Sequence, residues 1–229
     1  MSAGAEITDN SSDLVVVGGG IAGCCAAVAA ARLGLDVALV QNRPVLGGNA
    51  SSEIGLLMGG ADRDFEHARE TGIIEEIDLV NRYHNHEVQW RNGLSDALLE
   101  NMVREAGVDL YLNTHVHAVT TRGEDTIKSV TGAQQATERV FRFAAPVFVD
   151  ATGDGSIGAL AGAEWMRGTE SRDEFDESLA PETASDTTMG STLMFRVKDL
   201  GEPTPFVRPE WAYRFPDPDD LPVTISSLH

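Results

Sequence analysis

The run Asp13-Leu14-Val15-Val16-Val17-Gly18-Gly19-Gly20-Ile21-Ala22-Gly23 constrains this chain more than any other stretch. An apolar strand runs straight into Gly-x-Gly-x-x-Gly and then into a helix of small residues over 24–33. The apolar tetrapeptide at 37–40 reads as a second buried parallel strand, so the three pieces make a βαβ unit. Gly18 permits the tight turn, Gly20 leaves room for backbone to approach a pyrophosphate, and Gly23 lets the helix lie close to the strand. Gly19 belongs to the same turn. The free N–H groups and positive dipole end of the helix then face phosphate oxygens. The pattern predicts a dinucleotide site.

The residue expected at the adenosine ribose stands at the end of the second strand, about 20 residues on. An acidic side chain commonly serves there, because a carboxylate accepts from both ribose hydroxyls. This chain has Gln41, whose amide oxygen accepts one such bond and whose NH2 donates another. Loss of the charge weakens the case for NAD. It also removes the repulsion that excludes a 2′-phosphate, which Arg43 nearby would attract. The fingerprint alone leaves NAD, NADP and FAD open.

Two further segments narrow the choice. Arg43-Pro44-Val45-Leu46-Gly47-Gly48-Asn49-Ala50-Ser51-Ser52-Glu53 follows the second strand, and an apolar strand at 147–149 leads into Asp150-Ala151-Thr152-Gly153-Asp154-Gly155. With these, residues 13–211 resemble the FAD-dependent oxidoreductases that have a glutathione-reductase-like nucleotide fold. Within them the chain is most similar to the heterodisulfide-reductase-A-like group. The resemblance implies FAD as cofactor. It implies that Gly47, Gly48 and Asn49 pass close to the pyrophosphate and ribityl chain, and that Ala151, Gly153 and Asp154 back onto the cofactor. Val116 occupies the position where relatives pack backbone against adenine.

The expected fold class is α/β: a Rossmann-like FAD-binding domain with a parallel sheet and a β-meander crossover, plus the beginning of a substrate domain. Residues 1–12 read as a disordered tail, 13–167 as the FAD-binding domain and 168–229 as the start of an incomplete substrate domain. Helices are predicted over 63–81, interrupted by Gly72, and from Ser95 as N-cap to a stop at Gly107. Strands follow at 108–112 and 116–121, then near 127–131 and 140–143, around a turn at 122–125. After 168 the chain is acidic and polar, then strand-like at 189–197, then proline-rich. The relatives continue well beyond this point, so the expectation is a C-terminally shortened chain, or one completed by a separate C-terminal chain.

At 229 residues, 42% hydrophobic and 23% charged, the composition is that of a globular enzyme domain. No apolar run approaches the roughly 18 residues of a membrane span. The N-terminus lacks the basic region and apolar core of a secretory signal, so a cytoplasmic location is expected. Two cysteines, Cys24 and Cys25, cannot supply the four thiolates of an iron–sulfur cluster. They read as small residues filling a tightly packed helix rather than a redox pair, although a helix N-terminus can lower a thiol's pKa. No metal site is expected. His84 and His86 share a polar loop and read as exposed residues, and His67 lies on a helix near Arg69; a base that takes a substrate proton is the competing reading of a histidine here. Arg69 is the candidate substrate-facing residue, because a guanidinium can orient a carboxylate or polarise a carbonyl.

These readings converge on a flavoprotein oxidoreductase that exchanges a hydride between a small molecule and flavin N5, with a separate electron acceptor as partner. The alternatives are a nucleotide-binding remnant or interaction module without turnover, and an NAD(P)-binding dehydrogenase domain. The net charge of −19, with acids spread along the chain, disfavours nucleic acid. It reads as a hydrated surface suited to high salt, with a docking face for a basic partner as the competing account. The first account predicts a melting temperature that rises with added KCl well beyond physiological ionic strength, as self-repulsion is screened. A flat or falling curve leaves the docking face.

Overall fold

In the computed structural model, which describes residues 6–56, 58, 71–84, 93–188, 200–203, 205 and 207–214, the chain divides into two compact units, Met1–Gly190 and Ser191–His229. The first unit opens with β1 (Ile7–Ser11) and β2 (Leu14–Val17), then helix α1 (Ile21–Arg32) and strand β3 (Val37–Val40). Helices α2 (Ile73–His84) and α3 (Gly93–Glu105) follow, then β4 (Asp109–Tyr111). The meander is β5 (Thr114–Arg122), β6 (Thr126–Gln134) and β7 (Arg139–Ala144), before β8 (Val147–Asp150) and the short helices α4 (Ser156–Ala161) and α5 (Arg172–Phe175).

Strands β4-β3-β2-β8 form one parallel sheet in that order. Every residue of β2 and β3 is buried, because both faces of this sheet are covered. Leu14, Val16, Val37 and Leu39 pack with Val28, Ile77, Leu99 and Val103 on the helical side. Val15, Val17, Ala38 and Val40 pack with Val116, Val130, Phe141 and Phe143 of the meander. Alternation along each strand therefore feeds two cores, and each fully buried Val or Leu stabilises the fold by about 1.5–3 kcal/mol. The rings of Tyr111, Phe141 and Phe143 meet at centroid distances of 4.8–5.9 Å, fastening the meander to the sheet. Exposed pairs such as the bidentate Arg32–Glu76 bridge between α1 and α2 add little by comparison.

Four sequence expectations change. Residues 7–11 lie within the expected disordered tail, yet they pair in parallel with β7 from Ile7 beside Val140 to Ser11 beside Ala144. The strand is mostly exposed, so its polar composition resembles a tail while its backbone completes the second sheet, β1-β7-β6-β5. Helix α3 starts at Gly93, and Ser95 does not cap it. The Ser95 hydroxyl instead donates to Asn81 Oδ1 at 2.7 Å in a buried pair between α3 and α2. The third change is that α2 extends to His84 rather than ending at 81; the expected helical stretch 63–70 lies outside the described residues. Finally, residues 168–188 fall within the first compact unit. Thr169 and Ser185 exchange backbone hydrogen bonds of 2.8 and 2.9 Å, closing the segment on itself. The strand expected at 189–197 lies outside the described residues. Within the second unit, the Ala212 N–H donates to the Pro209 carbonyl at 3.1 Å.

Asp150, the last residue of β8, closes the turn into α4. Its Oδ2 accepts from the N–H groups of Ile157 (2.8 Å) and Gly158 (2.9 Å), and its Oδ1 from the Thr152 hydroxyl (2.7 Å) and N–H (3.1 Å). Burial pushes its pKa up, but these four donors outweigh burial and hold it below the ordinary carboxylate value. A depressed pKa contributes stability that is present above the unfolded value of about 3.9 and is lost as pH falls through the folded value. Asp150→Ala is expected to cost about 0.5–2 kcal/mol near neutrality, as for a lost helix cap. In denaturant melts the gap to wild type should close on acidification below about pH 4. A gap independent of pH would show that the charge is not what the donors hold.

Candidate functional site

The register of the parallel sheet brings Val17, Val40 and Asp150 level, so the segments leaving β2, β3 and β8 emerge side by side. Gly18 has φ +105° and donates its N–H to the Val40 carbonyl at 2.8 Å. A Cβ there would lie 2.1 Å from the Ala151 carbonyl oxygen, and one at Gly23 would lie 1.9 Å from that of Gly18. At Gly19 a Cβ would meet the Leu46 side chain at 2.5 Å. These three glycines are required by packing. Gly20 is different: its φ of −66° suits any residue, and a Cβ would meet nothing within 4 Å. The fold does not require glycine there, and the room it leaves opens into a cavity of about 720 Å³. Helix α1 begins at the same point with no side-chain cap and no acidic residue in its first turn. Its first N–H groups are left for an anion.

The doublet loop forms the facing wall. Gly47, with φ +107°, donates its N–H to the Gly19 carbonyl at 2.8 Å and bridges to Gly20. A Cβ at Gly48 would sit 3.2 Å from the Gly20 Cα. Leu46, buried beneath, anchors the approach. Gln41 is itself buried, with its Oε1 accepting the Gly19 N–H at 2.9 Å and its Nε2 donating to the Val45 carbonyl at 3.1 Å. It lines the cavity, yet its polar atoms join the fingerprint turn to the doublet loop. Arg43 also lines the cavity, with its guanidinium in a bidentate pair with Glu53 at 2.8 Å for both bonds.

One cavity therefore gathers Gly18, Gly20, Gln41, Arg43, Gly47, Gly48, Asn49, Val116, Ala151, Gly153 and Asp154 from segments spread over the chain, with Gly19 and Gly23 packed behind them. Val116 stands at a register shift between β5 and β6, an irregularity of the kind that re-aims backbone beside sites. An open cradle at Gly20, an uncapped helix start and a long cleft between two loops fit a dinucleotide with its pyrophosphate over α1. Thr114 and His115 line the cavity too and are missed by sequence reasoning. The signal is tertiary: the Thr114 N–H donates to the Gln41 carbonyl at 2.8 Å.

Arg69, His67 and His86 lie outside the described residues. His84 ends α2 and borders a separate groove with Arg32, Glu76 and Glu105. Cys24 is buried, its thiol directed to the Gly19 carbonyl at 3.4 Å. Burial first, and Cys25 beside it, push its pKa up to about 12, so the helix terminus does not make it a thiolate. No cluster of side chains suited to a metal ion occurs among the described residues.

The glycine contrast is testable. Gly20→Ala should leave the melting behaviour unchanged within about 0.5 kcal/mol, since nothing opposes the methyl. It should nevertheless weaken dinucleotide binding by at least about tenfold through collision with the pyrophosphate. Gly18→Ala should destabilise by roughly 3 kcal/mol or more, because φ and the Ala151 carbonyl both forbid it. Equal effects of the two substitutions on thermal stability would contradict the assignment of Gly20 to ligand space.

Comparison with known proteins agrees with this geometry. The sequence profile of the family described as FAD dependent oxidoreductase matches residues 13–223. No curated protein matches the chain in sequence. Among solved structures, the chain is similar to the THI4 protein of Thermovibrio ammonificans, at TM-score 0.50 and 18% identity, covering 76% of each chain. It is also similar to the geranylgeranyl bacteriochlorophyll reductase-like protein of Thermoplasma acidophilum, at TM-score 0.50 and 17% identity, over 71% of this chain and 45% of that one. The flavin-dependent brominase Bmp2 matches at TM-score 0.52 and 18% identity, over 70% of this chain and 43% of that one. The chain thus spans less than half the length of the last two, and at these identities the likeness is one of fold. The match over 13–223, which takes in the parallel-sheet α/β unit, assigns the chain to the FAD dependent oxidoreductase family.

Proposed function

We propose that this chain binds FAD in the cleft over Gly20 and acts as an oxidoreductase on a small molecule. The carrying observation is Gly20 itself, a glycine the fold does not need, facing open space at an uncapped helix start. The backbone from Gly47 to Asn49 and the first turn of α1 would hold the pyrophosphate. Thr114 and Val116 would border the adenine, and Gly153 and Asp154 the ribityl side. When bound, the flavin supplies hydride exchange at N5. The protein's part is placement, exclusion of water from the cleft and orientation of the substrate, for which Arg69 is the proposed group. Electrons pass on to a second acceptor of unassigned identity. The doublet and Ala-Thr-Gly motifs favour the heterodisulfide-reductase-A-like group. No described helix is long and apolar enough to cross a membrane.

The purified chain should be yellow, hold one FAD and lose its visible flavin absorbance when dithionite is added. A colourless protein that takes up no FAD in a titration overturns the reading. Stoichiometric flavin with no turnover on any tested donor supports a binding module instead, and tighter binding of NADP than of FAD supports the dehydrogenase alternative.

A further inference from the structure

The doublet loop contributes Gly47, Gly48, Asn49, Ala50 and Leu56 to the cavity wall, yet its own backbone hydrogen bonds are short turns and one longer closure, from the Leu56 N–H to the Asn49 carbonyl at 3.0 Å. Gly47 to Ala50 close on themselves through the Ala50 N–H to the Gly47 carbonyl (3.0 Å), and the Gly55 N–H returns to the Ser51 carbonyl (2.7 Å). Such a loop needs ties to the rigid body. One is the Gly47 N–H to the Gly19 carbonyl at its start. Others, among the described residues, are the Gln41 Nε2 bond to the Val45 carbonyl and Asp96 of α3, 44 residues after Ser52.

Asp96 is only 7% exposed. Its Oδ1 accepts the Ser52 N–H at 2.9 Å, and its Oδ2 accepts the Ser52 hydroxyl. A carboxylate withdrawn from water is costly unless donors meet both oxygens. Here one residue of the doublet loop meets both, so the requirement of the carboxylate fixes where Ser52 sits. Asp96 is itself held, because its helix is joined to α2 through the neighbouring Ser95–Asn81 pair. It does not line the cavity, so any effect on a ligand passes through the loop.

We infer that Asp96 is a positioning residue for the cofactor's pyrophosphate and ribityl chain, acting through Ser52 to hold the Gly47–Ala50 backbone against the fingerprint turn. The inference rests on the FAD reading above. Its consequence is selective along the dinucleotide. The far end of the cleft, at Thr114 and Val116 of β5, is tied to the chain leaving β3 by the Thr114 N–H to the Gln41 carbonyl rather than through Ser52.

The test is titration of the full chain with FAD and, separately, with AMP, which reaches the β3–β5 end and α1 but stops short of the ribityl side. Asp96→Ala is expected to weaken FAD about tenfold while AMP affinity stays within about twofold. Ser52→Ala, which keeps the N–H bond, should weaken FAD less and add nothing in the Asp96→Ala background, as expected of two groups acting through one contact. Asp96→Asn, which retains one acceptor oxygen, should restore part of the loss. Unchanged FAD affinity in both single variants overturns the inference, as does an equal loss for FAD and AMP, which would mark a purely structural role. If Asp96→Ala does not fold, Ser52→Ala and Asp96→Asn decide by the same comparison. Failure of the wild-type chain to bind FAD is a separate result, seen before any variant is made, and overturns the functional reading together with this one.

Discussion

The close approach of the Gly18 turn to the end of β8 is the contact on which the site depends. With a Cβ position only 2.1 Å from the Ala151 carbonyl, the turn and strand end touch backbone to backbone. Gly23 then brings α1 down onto Gly18 itself, at 1.9 Å by the same measure. No side chain can enter either contact without moving a strand or the helix, so the start of α1 is aimed chiefly by backbone packing, with Gln41 and Cys24 bonded to Gly19 between the two contacts. Backbone contacts of this kind hold a helix terminus more tightly than side-chain caps, which retain rotamer freedom. An anion site that works through N–H dipoles needs that fixity.

Around this point, the polar side chains mostly brace. Gln41 joins the fingerprint turn to the doublet loop, and Asp96 holds that loop from behind. Arg43 and Glu53 pair across the loop's outer side. Asp150 ties β8 to α4 with four accepted hydrogen bonds. Each is a group with few ways to satisfy its donors or acceptors, so each fixes a piece of loop that apolar packing alone would leave adjustable. The cavity wall is left largely to backbone and small residues. Such a wall offers N–H groups and close approach, with Arg43 and Asp154 as its charged members.

The stabilising weight lies elsewhere, in two cores on opposite faces of one four-stranded sheet. The helices cover one face and the meander covers the other. This double cover explains why β2 and β3 are apolar throughout, and why the meander, carrying Val116 to the cleft, is part of the nucleotide unit. Cys24 belongs to the helical core, where its burial keeps the thiol protonated despite its place in the first turn of α1.

Local sequence was sufficient for the βαβ unit, the parallel strands and the meander, because period and apolar runs encode burial directly. It was sufficient for the glycine positions too, since a tight turn before a helix admits few residue types. What Gly18, Gly19 and Gly23 pack against, and why Gly20 stands apart from them, is decided only in three dimensions, where distant backbone either meets the missing side chain or does not. The same holds for β1, whose polar residues look like a tail until β7 supplies the partner for its backbone. Thr114 and Asp96 have no readable role along the chain, and neither the bonds of Gln41 to Gly19 and Val45 nor that of Ser95 to Asn81 can be read there, because a hydrogen bond is chosen by which donors and acceptors the completed fold brings within about 3 Å. Sequence determined the βαβ unit, the parallel strands and the meander; the tertiary structure decided that β1 joins them, which side chains face the cleft and which are used up in holding it open.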